Sequence, residues 1–81
     1  MKTFEVVAKR ILQLCDESKL SVNKLGAISG LDTSTISSIL YGKSKNPGIR
    51  TILDLCYALG ISLYDFFNDE LFKNKNLEGT Y

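Results

Sequence analysis

The chain has 81 residues, 44% of them hydrophobic, with a net charge of +1, two cysteines and no histidine. This is enough for one small domain with a core, and no uninterrupted apolar run of ~18 residues is present to cross a membrane. Without histidine or a Cys-x-x-Cys pair, the commonest general base, the commonest metal ligand and the usual zinc spacing are missing, so no catalysis, metal or cofactor is expected. The start, Met1-Lys2-Thr3-Phe4-Glu5, lacks the pattern of a signal peptide, and the expected compartment is the cytoplasm. Cys15 and Cys56 read as small buried apolar groups.

In residues 3–18, Phe4, Val7, Ala8, Ile11, Leu12, Leu14 and Cys15 recur with the 3.6-residue period of an amphipathic helix. Thr3 is its expected cap, and Glu5 sits where the helix dipole favours a negative charge. Ser21 caps a second helix, from Val22 to about Ser29, with Val22, Leu25 and Ile28 on one face. Gly30 stands where a helix closes in the left-handed conformation, and Leu31 tucks back inward. Asp32 or Thr33 caps a third helix to about Tyr41, with Ile36, Ile39 and Leu40 inward, and Gly42 ends it.

The polar stretch 43–48 holds the single proline and is a loop. Residues 49–59 form a fourth helix, with Ile49, Ile52, Leu53, Cys56 and Leu59 in register, ended by Gly60. Ser62 opens a fifth, with Asp65 three residues on as an aspartate version of the capping box. Leu63, Phe66 and Phe67 supply its apolar side. The expected architecture is all-α, a compact five-helix domain over residues 1–69, with a polar C-terminal tail over 70–81.

Charge is unevenly spread. Residues 18–50 hold Lys19, Lys24, Lys43, Lys45 and Arg50 against Asp32 alone, a net of +4, while residues 51–81 net −3. A basic middle beside an acidic end suits a polyanion partner for the middle, although surface variation of this size also arises by chance.

Helices two and three, joined by a short corner containing glycine, have the form of a helix-turn-helix, in which the second helix enters the major groove of DNA. Leu25, Ile28, Leu31, Ile36 and Ile39 would form the wedge between them. The other face of helix three carries Thr33, Ser34, Thr35, Ser37, Ser38 and Tyr41, without an acid among them. Serine and threonine are poorer helix formers than the Lys and Glu of a solvated face. Their use is understandable if the face must approach base edges closely, since hydroxyls donate and accept and a Thr methyl meets a thymine methyl. A bland polar face is the alternative.

Residues 20–67 resemble the lambda-repressor-like, Cro-type helix-turn-helix family of DNA-binding domains. The resemblance is carried by Leu25, Gly30-Leu31, Thr35-Ile36-Ser37, Ile39, Gly42-Lys43, Pro47, Ile52-Leu53, Leu55, Ala58-Leu59-Gly60-Ile61-Ser62 and Asp65. It implies base contacts from Thr33, Ser34 and Ser38, with Thr35 and Ser37 at the groove edge. It also implies phosphate contacts from Lys43 and Lys45, with Asn46 in the same loop and Lys24 on helix two. Some positions depart from the family pattern. Val22 replaces a common phosphate-anchoring glutamine, and Gly26 replaces a preferred alanine. Cys15 and Leu40 stand where many members place a partly buried arginine–glutamate pair; apolar replacement of such a pair is often neutral or stabilising.

The resemblance implies a sequence-specific transcriptional regulator, a repressor, bound as a homodimer to a palindromic double-stranded operator, with no small-molecule ligand evident. A protein-interaction or antitoxin-like module reusing the fold is the alternative. For pairing, helix five and the segment after it offer Tyr64, Phe67, Leu71 and Phe72, more aromatic area than one core edge needs. The competing reading uses Phe66 and Phe67 to complete the monomer core.

Overall fold

Every expected helix forms, in the expected order. The computed structural model describes residues 2–44 and 46–73; Lys45 and residues 74–81, most of the predicted tail, lie outside the described residues. Helix α1 spans Thr3–Glu17, α2 Val22–Ser29, α3 Thr33–Leu40, α4 Ile49–Leu59 and α5 Leu63–Phe67, and a 3-10 turn comes next at Glu70–Phe72. No strand occurs among the described residues.

Local hydrogen bonds explain most boundaries. The N-cap of α1 is Lys2, not Thr3: the Lys2 backbone N–H donates to Glu5 Oε1 at 2.9 Å, and Thr3 is already helical. Ser21 Oγ accepts from the Lys24 N–H at 3.1 Å at the start of α2. The capping box of α5 forms as expected, with the Asp65 N–H donating to Ser62 Oγ at 3.0 Å and the Ser62 N–H to Asp65 Oδ2 at 3.4 Å. Asp32 precedes α3 without a side-chain cap bond. Gly30 and Gly60 close α2 and α4 in the left-handed region, at φ 76° and 72°. Gly42, at φ 79°, makes its left-handed step one residue beyond the cap Tyr41. Lys19 adopts the same region at φ 54° in the α1–α2 turn, without glycine's freedom.

A single buried cluster joins all five helices: Ile11, Leu14 and Cys15 of α1, Leu25 of α2, Ile36 and Ile39 of α3, Ile52, Leu55 and Cys56 of α4, and Phe66 of α5. Leu31 and Leu40 pack against it, so Leu40 and Cys15 share one apolar core in place of an ion pair. Each fully buried large side chain of this kind stabilises by about 1.5–3 kcal/mol.

Two helices bury a different arc from the one their periodicity suggests. In α1, Val6 is fully buried and Leu12 is 48% exposed, because the end of α5 and the 3-10 turn pack on the Val6–Arg10 side. In α4, Leu55 is fully buried while Ile49 and Leu53 face solvent, because α2 and α5 flank the arc centred on Ile52, Leu55 and Cys56. Ile28 likewise lies outside the wedge between α2 and α3 and is exposed. The chain also stays packed beyond residue 69. Phe72 sits with its ring centroid 6.0 Å from that of Phe66 and 5.0 Å from that of Phe67.

Candidate nucleic-acid interface

The corner between α2 and α3 is Gly30-Leu31-Asp32. The helices pack closely at Gly26, where an added Cβ would lie 3.3 Å from Ile36 Cδ1. Leu25, Ile36 and Ile39 are held in the core, which turns the opposite face of α3 outward. On that face Thr33 and Ser34 are exposed, Thr35, Ser37 and Ser38 are half-buried, and Tyr41 is exposed at the helix end. Among the described residues, no other protein group engages the hydroxyls of Thr33, Ser34, Thr35, Ser37 or Ser38. They are available to an external donor or acceptor.

The chain after α3 folds back along it. The Ser44 N–H donates to the Ser38 carbonyl at 2.9 Å. This shapes a cleft of about 280 Å³ between α3 and the start of α4, lined by Thr35, Ser38, Ile39, Ser44, Asn46, Pro47, Gly48 and Thr51. Among the described residues, no acidic side chain lines it. Gly48 is the N-cap of α4, so the unsatisfied N–H groups and the positive end of that helix dipole lie at the cleft. Sequence reasoning misses Ser44 and Thr51 here. Thr51 was findable as a hydroxyl in the first turn after Gly48, whereas Ser44 depends on the fold-back.

The expected phosphate residues Lys24, Lys43 and Asn46 are all exposed, Lys24 on α2 and the other two beside α3; Lys45 lies outside the described residues. The residues expected at a dimer surface lie on α5 and the 3-10 turn, apart from the hydroxyl face. Tyr64 is 74% exposed and Phe67 38%, whereas Leu71 and Phe72 are half-buried against their own domain. A shallow apolar depression joins Leu63, Tyr64, Phe67 and Asn68 to Ile49 of α4.

Burial pushes both thiols above their ordinary value, and the Asp65 charge adds to the effect at Cys56. Neither cysteine has the lowered pKa of a reactive thiolate. Among the described residues no group of His, Cys, Asp or Glu side chains is placed to hold a metal, and no helix is long and apolar enough to cross a membrane.

Comparison with known proteins agrees with this geometry. The family model described as the Cro/C1-type HTH DNA-binding domain matches residues 10–71. Among solved structures, the chain is similar to one described as the crystal structure of the prophage Lp1 protein 11. The two are 36% identical with a TM-score of 0.81, over 91% of this chain and 99% of that one. A comparison with curated proteins finds no match. The family match takes in the corner, the outward face of α3 and the cleft beside it, and the chain therefore belongs to the Cro/C1-type helix-turn-helix family of DNA-binding domains.

Proposed function

We propose that this domain is a transcriptional repressor that binds a palindromic operator as a homodimer, with α3 in the major groove. The observation that carries the reading is the α3 hydroxyl face, unengaged by any described residue, beside a cleft that no described acidic side chain lines. In the docking of this motif the first helix crosses the backbone and the second reads bases. Thr33, Ser34 and Ser38 meet base edges, and Thr35 and Ser37 lie at the groove margin. Lys24, Lys43, Lys45 and Asn46 meet phosphates, and the N-terminus of α4 adds backbone donors for another. Such short side chains carry limited base information, so DNA shape and bridging water share the specificity. Repression results from occupancy of the operator. The place of action is the cytoplasm, with its DNA.

One eight-residue helix reads only a few base pairs, and two copies on half-sites ~34 Å apart extend the site. The exposed apolar residues Ile49, Leu53, Tyr64 and Phe67 supply the pairing surface, with Leu71 and Phe72 supporting it from within the domain.

Selection from random duplexes identifies the operator, and titrations then test the contacts. Ser34→Ala or Ser38→Ala should lose ~1–3 kcal/mol on the selected site and little on random DNA. Equal losses on both would show that these serines do not read bases. Lys43→Ala should weaken binding to every sequence and lower the salt slope by ~1.

A further inference from the structure

Arg10 is a buried charged residue, 7% exposed, on α1, outside the α2–α3 helix pair. Its guanidinium reaches the far end of α5. Nε donates to the Phe66 carbonyl and Nη2 to the Asp65 carbonyl, both at 2.7 Å. Nη1 meets Gln13 Oε1 at 2.7 Å and the Asp69 carboxylate at 3.2 Å. A buried charge is tolerable only with such complete pairing.

The target of these bonds explains their use. Helix α5 has five residues, too few to hold its shape alone. It ends at Asn68, φ −86° and ψ 71°, without the left-handed glycine that closes α2 and α4. Its last carbonyls need donors, and the fork of Arg10 supplies two. The positive charge also complements the negative end of the helix dipole. Phe67 comes directly after the clamped Phe66 carbonyl, with its ring 4.9 Å from Phe66 and 5.0 Å from Phe72. Asp69, held by the same guanidinium, sets where the chain leaves α5.

We propose that Arg10 is the positioning residue of the pairing surface: from α1 it clamps the end of α5 and the start of the 3-10 turn, holding Tyr64 and Phe67 where a second copy meets them. This role rests on the homodimer reading above. A lysine cannot replace it, because a point charge does not satisfy two carbonyls and a carboxylate in a plane.

The test uses the full chain, a duplex carrying one half-site and a duplex carrying the whole palindrome. Wild type comes first: a one-to-one complex on the palindrome, by sedimentation, refutes the pairing reading and with it any such role for Arg10. With two copies bound, Arg10→Met should retain half-site affinity and lose at least about tenfold of the cooperative gain on the palindrome, as expected for lost bonds to a charged donor. Arg10→Lys should not restore that gain. Asp69→Asn can still accept from the Leu71 N–H, now 3.0 Å from Asp69 Oδ2, and should lose about threefold. An unchanged gain in Arg10→Met, or half-site and palindrome affinities falling together, overturns the proposal. If circular dichroism shows Arg10→Met unfolded, Asp69→Asn decides by the same split between half-site and palindrome.

Discussion

Gly26→Ala tests how tightly the α2–α3 corner is packed, because two effects of similar size oppose each other there. Gly26 lies in the interior of α2, where glycine costs about 0.5–1 kcal/mol relative to alanine. The new methyl would also be buried, worth at most about 0.8 kcal/mol more. Against this, the Cβ would stand 3.3 Å from Ile36 Cδ1 and 3.6 Å from the Leu31 carbonyl oxygen. The second distance is ordinary contact. The first requires Ile36 to yield by a few tenths of an ångström, and the atom in the way is the free end of a side chain rather than backbone. Overpacking costs about 1–3 kcal/mol when backbone or rotamers must shift, and a small displacement of a terminal methyl falls below that range. The expected net effect is a stabilisation of about 0.5–1 kcal/mol, seen as a rise in Tm of about 3–6 °C by circular dichroism. DNA affinity should be unchanged, since Ile36 supports α3 from its inner side. A lower Tm would show that Ile36, fully buried, cannot yield. A lower Tm with weaker DNA binding would show that α3 itself had been displaced.

Lys19→Gly relieves a lysine at φ 54° and should raise stability by about 0.5–1 kcal/mol, after allowing for glycine's larger entropy in the unfolded chain; an unchanged or lower urea midpoint would contradict this. Gly30→Ala and Gly42→Ala both impose a left-handed residue, but a Cβ meets nothing within 4 Å at Gly30 and Phe4 Cε2 at 2.9 Å at Gly42. Gly42→Ala should therefore cost about 1 kcal/mol more, and equal losses would mean that the Phe4 ring swings aside freely. Because burial raises both thiols, the unfolded chain releases these protons first. The folded state then binds more protons, so the thiol contribution to stability is present below pH ~8.5 and is lost as pH rises further. Both thiols should label slowly with a bulky reagent in the native state, and fast labelling of either would show that the core opens there.

The number, order and approximate limits of the helices were legible in the sequence, because periodicity, Ser21, Ser62 with Asp65, and Gly30 and Gly60 act over one or two turns of chain. The hydroxyl face of α3 was legible for the same reason: Ile36 and Ile39 mark the inner side, so the outer side is set by the helical rotation of 100° per residue. What periodicity cannot supply is the exact arc that neighbours cover. Ile49 and Leu53 carry the helical register of core residues, yet α2 and α5 flank a different arc and leave both on the surface, Ile49 beside Tyr64 and Phe67. Arg10 looks like one more exposed charge until the end of α5, more than fifty residues away in sequence, brings it bare carbonyls to satisfy. Ser44 and Thr51 enter the cleft only because the chain after α3 folds back onto Ser38. Each of these outcomes depends on which element packs against which, a matter of long-range contacts that no local spacing encodes.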